Sequence, residues 1–418
     1  MSLSPRVRLS IMMLLQYFVW GTWLPMIAQR IGGPGSLDLT PRQQGWIFTV
    51  YGFGAILGPM MFGQLADRRF ATEKILAFCH LIGAALLIGA AHATSFWPLF
   101  LSLFIYCNLY MASMGLTNSI TFRNVGEASF AGIRLWGTIG WVAAGNFFAL
   151  YLSSKGVPAL RPLFDLVGEP SSRDCLRVAG FVSLLYGLSC FALPHTPPIP
   201  AKETDPIDKR SAVLESLELM RNRSFAVLVT VAGLLGIMLA FYFACENFFL
   251  QDIGTTRDLV GSYMTIGQVA EVVVMALVPA VVARFGYKWT MILGASAWAL
   301  RFGLSIIGQP WWLMIATIGL HGFCFGFFFV VAQMFVDQSA GASIKASAQN
   351  LLVFLIYGLG TILGSLLTGE VRSHFGNDWP KIWAGPFVLT VLCILIFAAL
   401  FHEQEIREPA LEADTALV

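Results

Sequence analysis

Charge is what this sequence has least of. Asp, Glu, Lys and Arg make up 12% of its 418 residues, about half the quarter expected of a soluble globular domain. The net charge of +2 leaves no basic footprint for nucleic acid. Seven cysteines, odd in number and mostly inside apolar blocks, exclude a disulfide framework and show no metal-ligand spacing. There is no Walker loop, no H-E-x-x-H and no G-x-S-x-G, so an ATP-driven pump or a membrane protease has no machinery here. No small-residue cleavage site follows the first apolar run, which reads as a retained helix and not a removed signal peptide.

Apolar residues fill the gap. They make up 57% of the chain, and mean hydropathy is +0.71. They fall into blocks of about twenty, the length that crosses a hydrocarbon core about 30 Å thick. The pattern predicts an all-α membrane protein with twelve spans, near 9–28, 44–66, 75–96, 98–122, 130–152, 174–193, 225–250, 260–283, 288–307, 311–337, 345–371 and 380–401. The longest non-spanning stretch separates spans six and seven. Its first half is Pro-rich, and its second puts Val213, Leu217 and Met220 on one face of an interfacial helix with Ser211 as its cap. Two six-helix halves, 1–193 and 225–418, joined by a linker over 194–224, match the pseudo-repeated layout of secondary transporters.

Lysine and arginine placement orients the chain. With the N-terminus inside, fifteen of them fall on inner segments and nine on outer ones, with Arg134 and Arg301 inside spans. Both termini and the linker are therefore expected in the cytoplasm. The turn after span two, "GQLADRRFATEK", fits the G-x-x-x-D-R signature of the major facilitator superfamily as Gly63, Asp67 and Arg68. Asp67 and Arg68 read as a charge latch between helices, not as substrate contacts.

Ionisable side chains within spans mark functional sites by default. In span five, "GIRLWGTIGW", Arg134, Thr138 and Trp141 sit at i, i+4 and i+7 and share a face. A cation, a hydroxyl and an indole on one stripe suit a polar ligand with a flat ring. Gly137, Gly140 and Gly145 leave room for that ligand or for a close helix. The competing reading has Arg134 reaching the headgroups and Trp141 packing. In span eight, "GQVAEVVVMALVPAVVARFG" sets Gln268 and Glu271 beside a hydrocarbon wall. Glu271 lies about thirteen residues, or about 20 Å, from the cytoplasmic end of its span. Arg301 in span nine lies at the same depth and could pair with it. A permanent pair would be structural. An intermittently free Glu271, its affinity for protons raised by desolvation, would carry a proton across. His80, Asn108, Asn118 and Asn146 read as interhelical hydrogen bonders. His321 and the aromatic run Phe323 to Phe329 read as packing, Gly358, Gly360 and Gly364 as a close-packing face, and Glu246 and Asn247 as water-accessible at the outer end of span seven.

The chain resembles the bacterial nucleoside:proton symporters, a branch of the major facilitator superfamily, along its whole length. The matching pieces are "WGTWL" in span one, "ADR" after span two, "CH" in span three, "RLWGTIG" in span five, "LPH" closing span six, "GQVAE" in span eight, "LRF" in span nine and "ASAQ" opening span eleven. The resemblance implies alternating access with a nucleoside held between the two halves. It implies that Arg134, Thr138 and Trp141 line the pocket, that Gln268 and Glu271 reach the ribose hydroxyls, and that Glu271 takes the coupled proton. It implies a monomer in the bacterial inner membrane, with no cofactor, no metal and no nucleic-acid partner. The chain departs from that pattern in span ten, where Gly326 stands in place of an aspartate tied to proton coupling. It departs again in span seven, where Ala240 and Phe243 replace amides. The alternatives are a facilitator of another hydroxylated solute, such as a sugar or cell-wall fragment, without protons, and, more remotely, a receptor of transporter shape. Tails of about eight and seventeen residues leave that receptor no room for a signalling domain.

Overall fold

The computed structural model describes residues 4–32, 36–162, 165, 169–198, 219–339 and 345–403. The side chains of 63–68, 127–128, 339 and 345–347 lie outside that description, and so does most of the linker, with its expected helix. Asp67 and Arg68 therefore appear only as the backbone that ends the second long helix.

Long helices account for the described chain, because a backbone in hydrocarbon must satisfy its own hydrogen bonds. They are α1 (Pro5–Trp23), α2 (Pro41–Arg68), α3 (Thr72–His92), α4 (Phe96–Val125), α5 (Glu127–Ser153), α6 (Asp174–Ser189) and α7 (Arg223–Asp252). α8 (260–285) and α9 (287–307) follow, then α10 (311–339), α11 (345–375) and α12 (Trp379–Leu400). Eleven apolar segments among the described residues are long enough to cross a membrane. One of them, Arg257–Ile307, has 51 residues and would be about 75 Å long if straight, more than twice the hydrocarbon thickness. It breaks at Gly286, where φ is +74°, a conformation that favours glycine. The eleven segments thus supply twelve crossings. On α5, Leu135, Trp136, Ile139, Phe147 and Leu150 are each more than 40% exposed. An apolar face of that kind belongs against lipid, and the chain is a multi-pass membrane protein.

Contacts divide the chain into two compact units. The first comprises Met1–Lys202, Phe243–Thr265 and Thr368–Ser373. Here α1 lies against α5 at Gly21, where an added Cβ would sit 2.9 Å from the Trp141 carbonyl oxygen. The core holds a closed polar network. His80 on α3 bonds Ser183 of α6 through Nδ1 (3.1 Å) and Gln16 of α1 through Nε2 (3.0 Å), while the Gln16 amide donates to Ser113 of α4 (2.9 Å). The C-terminal parts of α7 and α11 and the N-terminal end of α8 also belong to this unit. Asn247 donates to the Pro25 carbonyl (2.7 Å), Gln29 to that of Arg257 (2.8 Å), and Arg372 to the Gln44 side chain (2.6 Å). Glu246 and Asn247 are 1% and 2% exposed, so the water expected at this end of α7 does not reach them. Packing of α7 against the α1–α2 region excludes it.

The second unit comprises Glu203–Tyr242, Ile266–Leu367 and His374–Val418. α7 meets α11 at Gly236 and Gly360, where a Cβ on Gly360 would lie 3.0 Å from the Gly236 carbonyl carbon. Both α10 and α11 contain π-helical stretches, Phe325–Val330 and Phe354–Gly360. Such widened turns recur at functional sites.

A short pattern repeats at the ends of the halves. After α6, Leu193, His195 and Thr196 follow one another in "LPHT"; after α12, Leu400, His402 and Glu403 do so in "LFHE". In the first unit Glu73, at the start of α3, accepts from Thr196 N–H (3.0 Å) and contacts His195 Nδ1 (2.7 Å). In the second, Glu403 accepts from Lys288 N–H at the start of α9 (3.4 Å). In each half a carboxylate thus ties the segment after the last helix to the start of the half's third helix.

Candidate functional site

On α5, Arg134 and Thr138 are half-buried and Trp141 is 7% exposed. Arg134 does not run out to the headgroups. Its guanidinium carbon lies 4.1 Å from the centroid of the Tyr17 ring on α1, a contact worth about 0.5–2 kcal/mol depending on desolvation. Gly137, Gly140 and Gly145 of this helix serve close packing. A Cβ on Gly137 would lie 2.6 Å from Tyr17 Cδ2, and one on Gly140 would lie 3.0 Å from the carbonyl carbon of Leu14. One on Gly145 would lie 2.9 Å from the Gly261 carbonyl oxygen. Asn146 bonds the Val142 carbonyl (2.9 Å) and approaches the Thr265 hydroxyl (3.4 Å), an interhelical role as expected.

Trp141 meets Trp20 of α1 edge-on, with ring centroids 4.7 Å apart and planes at 73°. Trp20 in turn stacks on Tyr51 of α2, at 5.6 Å and 8°. Sequence reasoning passed over Tyr17, Trp20 and Tyr51. An aromatic residue inside an apolar span carries no periodic signal that separates a pocket ring from a packing ring. The one available hint was the motif "WGTWL", which opens on Trp20.

In the second unit, Gln268 and Glu271 are half-buried on α8. The hydrocarbon wall that follows lies on other faces of the helix: Val272, Val273, Met275 and Leu277 are 41–58% exposed. Glu271 is therefore not set against that wall. α10 lies directly on its turn, since a Cβ on Gly322 would come within 2.6 Å of Glu271 N. The Glu271 carboxylate also acts electrostatically on the Tyr357 hydroxyl, within the π-helical stretch of α11. Arg301 on α9 is fully buried, with its guanidinium 3.8 Å over the Tyr242 ring. His321 stacks on that same tyrosine (5.6 Å, 29°) and meets Trp298 edge-on (6.0 Å, 90°). His321 is thus part of a cation–aromatic cluster, a more specific setting than general packing.

The departure at Gly326 has a packing explanation. A Cβ on Gly326 would lie 2.9 Å from Val274 Cγ1 on α8, so α8 fills the space an acid would need. Ala240 Cβ occupies the space beside Gly364, 2.8 Å from where a Cβ on that glycine would stand.

Comparison with known proteins follows the same lines. The family described as "Nucleoside H+ symporter" matches residues 1–406. YegT of Escherichia coli (strain K12) is 32% identical, over 97% of this chain and 96% of its own. The xanthosine permease of the same organism is 28% identical, over 96% and 95%. A crystal structure of an aspartate-to-alanine mutant of the nucleoside transporter NupG superposes with a TM-score of 0.84 at 26% identity, covering 96% of this chain and all of that one.

Proposed function

Because the chain belongs to the nucleoside H+ symporter family, we propose that it is a secondary transporter that imports nucleosides across the bacterial inner membrane with a proton, by alternating access. The observation that carries this reading is the setting of Glu271. A carboxylate half-buried within a span, with an amide one turn away and the backbone of α10 against it, is a group that can exchange a proton and accept from ribose hydroxyls. Arg134 and Thr138, half-buried on one face of α5, are the polar contacts assigned to the first half, with Trp141 beside them. Arg301 is the counter-charge at the depth of Glu271, and Asp67 and Arg68 latch the turn after α2. The two halves, 1–193 and 225–418, move about the 194–224 linker. Both termini face the cytoplasm, as the excess of Lys and Arg on those segments supports. A reporter fused to the C-terminus that is active only outside would overturn this orientation.

The test is uptake of labelled uridine and adenosine in cells lacking their own nucleoside carriers, with and without a protonophore. Uptake that collapses with the protonophore, and loses that sensitivity in Glu271→Gln, supports proton symport through Glu271. Glu271→Gln uptake that stays sensitive overturns the proton role. A second reading, facilitated diffusion of another hydroxylated solute, is favoured by Gly326, whose close contact with Val274 leaves α10 no second acid at that place. Carrier-deficient cells expressing the wild-type protein that equilibrate a sugar equally with and without the protonophore, and take up no nucleoside, would establish it.

A further inference from the structure

Trp20 stands out among the tryptophans of α1. Its neighbour Trp23 is 1% exposed and sits edge-on to Tyr106, as a core ring does. Trp20 is half-buried. Its indole N–H is buried without a hydrogen-bond partner, as is that of Trp23, so the exposure of the ring, not its donor, separates the two. Rings from four helices converge on it: Tyr17 of α1 (6.0 Å), Tyr51 of α2 (5.6 Å), Tyr110 of α4 (6.3 Å) and Trp141 of α5 (4.7 Å). Of these, only Tyr51 lies parallel to it. One turn away, Arg134 caps the Tyr17 ring.

This arrangement holds one indole in place and keeps it partly open. Those are the properties of a surface for a flat aromatic ring. A sugar alone has no flat π face to lay on it. Stacking of a base on an aromatic side chain changes affinity about five- to 150-fold, and tolerates every base because each has a π face.

We propose that Trp20 is the specificity-determining ring of the transport site, stacking on the base of a nucleoside. Tyr51 fixes the plane of the indole. Trp141, 7% exposed and edge-on to Trp20, is a positioning residue that sets the tilt of that ring. Arg134 and Thr138 are left for the polar edge of the substrate. The inference rests on the nucleoside reading above and moves the base contact from Trp141 to Trp20.

The experiment uses purified full-length protein and measures displacement of labelled uridine by uridine, by adenosine and by ribose. In Trp20→Ala, the dissociation constants for uridine and adenosine rise roughly tenfold or more, while that for ribose stays within about twofold of wild type. Trp20→Phe, which keeps a ring face and removes the N–H, recovers most of the uridine affinity. Uridine quenches tryptophan fluorescence in wild type and in Trp141→Phe, and the quench is lost in Trp20→Phe. That last readout holds even where Trp20→Ala does not fold. Unchanged uridine affinity in Trp20→Ala, equal weakening for ribose, or an intact quench in Trp20→Phe overturns the assignment. Wild-type protein that binds no nucleoside overturns the functional reading itself, a separate result.

Discussion

The Arg134 guanidinium carbon lies 4.1 Å from the centroid of the Tyr17 ring, joining α5 to α1. The contact holds a permanent positive charge inside the first unit and ties it to the helix that carries Trp20. A planar guanidinium and a compact ammonium are not equivalent at such a site. Arg134→Lys is expected to raise the KM for nucleoside uptake about tenfold or more while the protein still folds. Tyr17→Phe keeps the ring and should change KM less than threefold, as initial-rate uptake would show.

Gly326 decides how closely α10 approaches α8. Gly326→Asp places its Cβ 2.9 Å from Val274 Cγ1 and is expected to cost about 1–3 kcal/mol through overpacking. Thermal denaturation in detergent should show a lower Tm. Combining it with Val274→Ala should recover much of the loss. A single variant as stable as wild type would mean that α8 yields freely there.

Gly140 seats α5 on α1. A Cβ there would lie 3.0 and 3.1 Å from the carbonyl carbon and Cα of Leu14, atoms that cannot rotate aside. Gly140→Val should therefore destabilise by about 1–3 kcal/mol or more. Gly132→Val, where a Cβ meets nothing within 4 Å, should be nearly neutral. Melting curves of the two variants side by side check the difference.

His80 closes a buried network with Gln16, Ser113 and Ser183. His80→Ala strands polar partners in the core of the first unit, at a cost of about 1–3 kcal/mol. The network is distant in role from the assigned substrate residues. Uptake normalised to folded protein should then stay within about twofold while Tm falls, since the lost contacts act on stability. A large loss of uptake at unchanged Tm would instead assign His80 to transport.

Periodicity and composition were enough for the class of protein and the count of crossings, even where α8 and α9 run on without a loop. The glycine at their junction, Gly286, needed the backbone to explain it. The two polar faces of α5 and α8 were legible as well, because ionisable groups are rare in spans and helical spacing puts them on one stripe. Three things were hidden. The glycines of α5 could have served a ligand or a helix, and only the position of Leu14 and Tyr17 distinguishes those. Glu246 looked accessible until the turn at Pro25 was seen to cover its neighbourhood. His321 looked like one more packing ring until Arg301 and Tyr242 appeared beside it.

What the sequence determined by itself was therefore everything set along one helix: span length, hydropathy, the shared face of Arg134, Thr138 and Trp141, and the family motifs. What only the tertiary structure decided was everything set between helices, above all the meeting of Trp20 with Tyr51 and Trp141 and the filling of the space at Gly326 by Val274. The reason is physical. Local spacing follows from 3.6 residues per turn, whereas which side chains meet across spans depends on close packing among helices far apart in the chain, where a single Cβ decides the distance of approach.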